Sequence, residues 1–240
     1  MCSSDLKFTV TAGVSNIAPL DLEGWFKDYT NLTSFDGTGL DVSQTTNKSL
    51  AQLFMGCKDL TTVTGLNDWD VSGITSLESL FEGCDGLAAV PEINNWGTKT
   101  DSVENFSRMF ANVEHVQDIS MLRDWHVQAA KTYESMFENT LYITKIDLSG
   151  WQMNPNAKRT KMLANIAMIK DLILGPGVIL EGTGFYDVAG TDEERVSSHA
   201  AVEGSWDRTD DPDADPWFGT SADLVARYPQ AGSQIGRAHV

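Results

Sequence analysis

The chain has 240 residues and a formal net charge of −17, from 34 acidic and 17 basic residues. This excess of acids disfavours nucleic-acid binding, in which lysine and arginine contacts to phosphate supply most of the affinity, and it disfavours an anionic membrane surface. Hydrophobic residues make up 41% of the chain, which is enough for a continuous core and excludes a disordered acidic tail.

The two ends of the chain are related to each other at the level of DNA. Residues 1–6 (MCSSDL) can be encoded by a sequence whose reverse complement translates as QIGRAH, the sequence of residues 234–239. Both stretches resemble translated sequencing-adapter DNA. We therefore expect residues 1–6 and 234–240 to be adapter-derived, and we expect the chain to be a fragment of a longer protein. Neither stretch enters the chemical arguments.

Residues 7–31 are predicted to form an N-terminal cap that contains a first helix. Leu22, Trp25, Phe26 and Tyr29 have the i, i+3, i+4, i+7 spacing of a short amphipathic helix. A stack of repeats exposes its core at each end, so a covering segment is needed there.

Residues 32–174 contain a block of about 27 residues that recurs. Its phenylalanines are 27, 29 and 27 residues apart, and its tryptophans are 27, 29 and 26 apart. Units of this length cannot bury their apolar faces alone and must stack on their neighbours. The pattern predicts an α/β solenoid, a leucine-rich-repeat-like stack of about six 26–29-residue strand/turn-helix repeats with N- and C-terminal caps. The markers are Phe54, Phe81, Phe110 and Phe137, and Trp69, Trp96, Trp125 and Trp151.

Each copy of the block combines two patterns. The second half repeats the helical stripe, as in Leu77, Leu80, Phe81 and Cys84, and the first half is apolar, short and rich in turn residues. We therefore expect one short strand and one short helix per repeat, with the strands forming a parallel ladder.

Residues 175–233 are predicted to form an acidic C-terminal cap or tail. Residues 181–233 contain 12 acids and 3 bases. Within them, residues 222–227 have the pattern of a short helix, with Thr220 or Ser221 as its N-cap.

The residue pattern of the repeat resembles that of a known family. Trp69-Asp70-Val71-Ser72 followed by Leu80-Phe81-Glu82-Gly83-Cys84 is similar to the 26-residue surface-protein repeat of the BspA-like leucine-rich-repeat family, and Met109-Phe110 and Met136-Phe137 keep its Met-Phe pair. The resemblance extends over about residues 20–228. Gly97 and His126 depart from it by replacing the acid that follows tryptophan, and the last copy lacks its phenylalanine.

The resemblance implies a non-enzymatic bacterial protein that is located at the cell surface or secreted. It further implies adhesion to host matrix proteins, cell-surface proteins or glycans through an extended surface of the repeats, by a monomer. A structural spacer that presents another domain is one alternative. A carbohydrate-binding or carbohydrate-processing solenoid is another, and converging carboxylates in a groove would favour it.

The candidate ligand contacts are Trp69, Trp96, Trp125 and Trp151, since stacking of the repeats brings these aromatic side chains together. The competing interpretation is that the four residues pack on one another and on the backbone. Cys57 and Cys84 occupy equivalent positions, which suits two buried thiols or a disulfide. We expect no catalytic residue, cofactor or metal ion, and no membrane span in this fragment.

The run of alternating acids in residues 210–215 is reminiscent of a calcium loop. Pro216 and Ala222 stand where that loop requires glycine and glutamate, so a solvated acidic loop is favoured over weak calcium binding.

Overall fold

The structure, a computed structural model, describes residues 5–10, 17–166, 168–169 and 171–185, together with the backbone of three short strands further on. Strands β1 (Leu6–Thr9), β2 (Leu32–Asp36) and β3 (Thr62–Thr64) form a parallel sheet in that order. The second sheet has the order β4-β5-β8-β6-β7, with β4 and β5 parallel and the other pairs antiparallel. Its strands are β4 (Lys145–Leu148), β5 (Asp171–Leu174), β6 (Ser205–Asp207), β7 (Trp217–Phe218) and β8 (Arg237–His239).

The parallel strands pair residues that are about one period apart in sequence. Phe8 pairs with Phe35, and Phe35 pairs with Val63. Short 3-10 helices recur in successive repeats. They are Val42–Gln44, Leu66–Asp68, Asn94–Thr100 and Ser120–Leu122.

The predicted α/β solenoid of strand/turn-helix repeats is wrong. The part of the chain that the structure describes contains no α-helix, and its strands are confined to two small sheets. The stretches predicted as helices, including the first one near residues 22–29, are series of turns. We call them the turn segments; they comprise residues 22–29, 50–57, 77–84, 106–113, 133–140 and 159–166.

Backbone hydrogen bonds explain why these stretches are turns. Within one segment, the N–H of Glu82 donates to the carbonyl of Ser79, three residues earlier, at 3.2 Å. The N–H of Leu80 likewise donates to the carbonyl of Leu77, three residues earlier. The intervening N–H, that of Phe81, donates to Met109 in the following segment at 2.9 Å. Donors therefore alternate between their own segment and the next, whereas every interior N–H of an α-helix donates to the residue four positions earlier.

The backbone angles also exclude an α-helix. Two positions in each turn segment, four residues apart, have positive φ, for example 53° at Ser79 and 69° at Gly83. An α-helix requires φ near −63° at every residue. One left-handed column is Gly24, Gln52, Ser79, Arg108, Ser135 and Lys161, and the other is Asp28, Gly56, Gly83, Asn112, Asn139 and Asn165.

Asparagine and glycine suit the second left-handed column for different reasons. Glycine lacks the Cβ that disfavours positive φ, and a Cβ on Gly56 would lie 2.5 Å from an Asp28 carboxylate oxygen. Asparagine tolerates this region better than most residues. Its amides also bond along the column, because Asn139 donates to Asn112 at 2.8 Å and Asn165 donates to Asn139 at 2.7 Å.

The core is one continuous cluster between the turn segments and the extended stretches. Its phenylalanine column is stacked, with ring centroids 5.5 Å apart for Phe54 and Phe81, 5.5 Å for Phe81 and Phe110, and 5.9 Å for Phe110 and Phe137. The apolar stripe that suggests a helix is thus buried by neighbouring repeats, on a backbone of turns.

Three of the four tryptophan indoles in the repeats donate to a carbonyl of an earlier repeat. Trp69 donates to Gly37 at 3.1 Å, Trp96 to Leu66 at 2.7 Å and Trp151 to Leu122 at 2.7 Å. The indole N–H of Trp125 is buried and has no partner among the described residues. The repeat before Trp125 is the one in which the 3-10 helix is lengthened to seven residues, Asn94–Thr100.

Replacing single tryptophans by phenylalanine tests this difference. Each substitution removes similar ring volume, but Trp96→Phe and Trp151→Phe also remove a hydrogen bond, whereas Trp125→Phe removes an unpaired buried donor. We expect the free energy of unfolding, measured with urea, to fall by about 1–3 kcal/mol less for Trp125→Phe than for the other two. Equal losses in all three variants would contradict this account.

Candidate functional surface

The predicted tryptophan contacts lie inside the protein. Trp69, Trp96, Trp125 and Trp151 are each at most 1% exposed. The rings of Trp69 and Trp96 stack at 6.4 Å, and those of Trp96 and Trp125 at 6.1 Å. The packing leaves none of the four rings with a face at the surface, so exposed candidates have to be sought elsewhere.

The two cysteines are free and buried. The Sγ of Cys57 donates to the carbonyl of Phe26, and that of Cys84 to the carbonyl of Phe54, each at 3.0 Å. Burial raises the pKa of Cys57 to about 12 and that of Cys84 well above its usual value. Since the thiolate is the reactive form, both groups are packing residues.

Two predictions about the C-terminal region, the acidic loop at 210–215 and the helix at 222–227, lie outside the described residues. Where the structure is described, no three side chains of histidine, cysteine, aspartate or glutamate are grouped as metal ligands would be. The same residues include no helix with the length and apolar character needed to cross a bilayer.

Three exposed side chains occupy equivalent positions just after successive turn segments. His115, Tyr142 and Met168 each come two residues after the last buried position of their segment. Tyr142 is 46% exposed and Met168 47% exposed, and the rings of His115 and Tyr142 stack at 5.8 Å with an interplanar angle of 19°. We call these three residues the lateral strip.

Contacts between repeats hold the aromatic pair of the lateral strip, His115 and Tyr142. The N–H of Tyr142 donates to the carbonyl of Glu114 at 3.3 Å, which holds the tyrosine beside the preceding repeat. The N–H of Glu114 in turn donates to the carboxylate of Asp85 at 3.3 Å. The aromatic pair is therefore held in position before any partner arrives, which lowers the ordering cost of binding.

Acidic groups border the lateral strip. The Nδ1 atom of His115 lies 3.0 Å from the carbonyl oxygen of Asp85 and 3.1 Å from its carboxylate. The hydrogen bond to this carbonyl, followed by the bond and charge attraction of the carboxylate, raises the pKa of His115. At a different position of the repeat, directly after Trp125, the Nδ1 atom of His126 lies 2.8 Å from the Asp101 carboxylate.

A separate row of charges links the turn segments. Arg108 bonds to Glu82 through Nε at 2.9 Å, and Lys161 lies 3.2 Å from Glu138. Burial alone would raise the pKa of Glu82, but hydrogen bonds from Arg108 and Ser79 hold it below its ordinary value. Glu82 is also mostly buried, so this row joins neighbouring repeats to each other.

The fold and these surfaces define a protein of stacked turn repeats with a buried aromatic core and an exposed aromatic strip. Residues 48–174 match the family described as Mycoplasma protein of unknown function, DUF285. Because the match covers more than half of the chain, the chain belongs to this family. Comparisons with curated proteins and with solved structures returned no match.

Sequence reasoning did not single out the lateral strip as a contact surface. His115, Tyr142 and Met168 all fall outside the apolar stripe on which the prediction of the core rests. The sequence does contain a signal for this surface. The position two residues after each stripe is polar or small in the early repeats, Asp59 and Gly86, and aromatic or apolar in the later ones, His115, Tyr142 and Met168.

The contact between His115 and Asp85 predicts a pH dependence. In the folded protein we expect the pKa of His115, measured by NMR titration, to lie above that of an unfolded histidine, and Asp85→Asn to lower it. The stabilisation from this contact is then fully present below the unfolded pKa of about 6.5 and is lost as pH rises through the folded pKa. A His115 pKa that is the same with and without Asp85→Asn would refute the assignment.

Proposed function

We propose that this protein is a non-enzymatic bacterial interaction protein, located at the cell surface or secreted, that contacts host matrix proteins, cell-surface proteins or glycans. The lateral strip carries the proposal, because it is an exposed and prepositioned aromatic surface outside a rigid core. We further propose that the repeats are of the BspA-like type, and the relation of the DUF285 family to BspA-like repeat proteins supports this assignment.

The chemistry of the lateral strip suits such partners. An exposed aromatic ring offers apolar and stacking contact at a low entropy cost, and the neighbouring carboxylates offer hydrogen-bond acceptors. Asp85 and Glu114 favour partners with cationic or hydroxyl groups over acidic ones. The spacer role and the carbohydrate-binding or carbohydrate-processing role remain untested predictions, whereas the solenoid that was to carry the latter role is wrong.

Direct binding tests the proposal. The whole chain should bind saturably to at least one member of a panel of immobilised fibronectin, collagen and mucin, measured by biolayer interferometry. Tyr142→Ala should weaken that binding by about tenfold or more, because truncation of a central aromatic contact often costs 2 kcal/mol or more. Tyr29→Ala is the matched control, since Tyr29 is also exposed but lies at the first repeat, and it should leave binding unchanged.

Two results would count against this function. Absence of binding to every panel member would favour a spacer role. Equal loss of binding in the Tyr142→Ala and Tyr29→Ala variants would remove the lateral strip as the contact surface.

A further inference from the structure

The aromatic pair of the lateral strip is an open surface in the middle of the stack. His115 and Tyr142 belong to repeats that have described repeats both before and after them. The side chain of His115 is 56% exposed, and Tyr142 is 46% exposed although His115 covers one face of its ring. The exposure of the pair therefore comes from its position in the repeat and not from an end of the described chain.

Two carboxylates border the aromatic pair, and neither is neutralised by a lysine or an arginine of the described chain. The carboxylate of Asp85 accepts only from the backbone N–H of Glu114, at 3.3 Å, and lies 3.1 Å from the Nδ1 atom of His115. The carboxylate of Glu114 has no hydrogen bond or ion pair with any other described residue. Its negative charge contributes to the raised pKa of His115, which places it near the imidazole ring.

Elsewhere in the repeats, the chain supplies its own cations to its carboxylates. Five acids form ion pairs with a lysine or an arginine: Glu82, Glu104, Asp118, Asp124 and Glu138. In contrast, residues 59–98, which precede the aromatic pair in the stack, contain seven acids and no base. The surroundings of the pair therefore retain negative charge that is complementary to a cationic group of a partner.

An arginine side chain uses every feature of this surface. Its guanidinium group is planar and always charged, stacks on aromatic rings, and donates two parallel hydrogen bonds to one carboxylate. A lysine ammonium group is a strongly hydrated point charge and lacks this planar geometry. A neutral sugar would leave the charge of the carboxylates unused, and an acidic sugar would be repelled by it.

The protonation state of His115 controls whether the surface accepts a cation. The titratable groups of the described chain that face His115 are Asp85 from the preceding repeat, Glu114 from its own repeat and Tyr142 from the following one. Neutral His115 leaves the negative charge of both carboxylates to the partner, whereas protonated His115 cancels part of it and repels a second cation. Hydrogen bonds and charge from Asp85 raise the pKa of His115, so the change takes place at a higher pH than for an isolated histidine.

We propose that the aromatic pair, together with Asp85 and Glu114, binds an arginine side chain of a protein partner and releases it when His115 becomes protonated. The guanidinium group packs against the ring of Tyr142 and donates hydrogen bonds to the carboxylates. This inference rests on the proposed function, because it names the chemical group that the lateral strip takes from its partner.

A short peptide, acetyl-glycyl-arginyl-glycinamide, is a suitable probe. One control peptide carries citrulline in place of arginine, which keeps the shape of the side chain and removes its charge. A second control carries lysine, which keeps the charge and removes the planar group. Binding to the whole chain is followed by NMR, from the shifts of the imidazole protons of His115 and the ring protons of Tyr142.

We expect weak but saturable binding of the arginine peptide, and binding at least about threefold weaker for both control peptides. Tyr142→Ala should abolish the binding, and Tyr142→Phe should preserve it because the ring remains. Glu114→Gln should weaken it by about threefold, because a carboxylate acceptor is lost. Tyr29→Ala, at an exposed tyrosine of the first repeat, is the matched control and should leave the affinity unchanged.

The affinity for the arginine peptide should fall as the pH is lowered, with its midpoint at the pKa of His115 measured in the same samples. His115→Phe keeps an aromatic ring beside Tyr142 and removes the titrating group. In this variant the affinity should stay constant over the same range of pH.

Four results would overturn the arginine site. They are equal binding of the arginine and citrulline peptides, equal binding of the arginine and lysine peptides, binding of neutral cellobiose as tight as that of the arginine peptide, and an affinity that does not change with pH.

These outcomes are distinguishable from failure of the proposed function. Binding of fibronectin, collagen or mucin that is lost in Tyr142→Ala, without binding of the arginine peptide, would reject the arginine site and retain the lateral strip as a contact surface. Binding of the arginine peptide without binding to any of the three proteins would support the site and reject those partners.

Discussion

The alternation of backbone donors between a segment and its neighbour is the constraint on which this structure depends. Each turn segment satisfies half of its N–H groups internally, over three residues, and sends the other half to the next repeat. A segment of eight residues cannot form a stable isolated helix, and here its backbone is satisfied only when a neighbour is present. Stability is therefore shared along the stack, and each repeat supports the next.

The same constraint decides which side chains can contact a partner. Stripe residues such as Leu80 and Phe81 face inward and are covered by the repeats on either side. Residues just beyond each segment, such as Tyr142, stand outside the core yet remain tied to it by backbone bonds. A rigid interior with a regularly spaced exterior suits recognition by many modest contacts over an extended surface.

The sequence predicts the period, the aromatic columns and the core correctly in position but not the backbone that carries them. Leu77, Leu80, Phe81 and Cys84 have helical spacing, and a series of turns that packs between neighbours buries the same four positions. Gly83 was the one residue in this stretch that argued against a helix, because glycine readily adopts the positive φ that it has here. The positive φ of Arg108 and Lys161 could not be predicted from their residue types, because the adjacent repeats impose this left-handed conformation on them.

Exposure was harder to predict than burial. Regularly spaced tryptophans can form either an exposed ligand-binding surface or part of the core. The structure decides for the core, because Trp96 stacks between Trp69 and Trp125. Tyr142 became a candidate through its place beside a turn segment. The sequence signal for it is the change of residue type at the position that follows each stripe.

The most direct test of the account is to detect backbone hydrogen bonds by NMR scalar couplings across them in the ¹⁵N,¹³C-labelled protein. The account predicts a coupling from the Phe81 nitrogen to the Met109 carbonyl carbon, and likewise from Phe54 to Leu80. A coupling from Phe81 to Leu77, four residues earlier, would show an α-helix in its place and would contradict the alternation of donors.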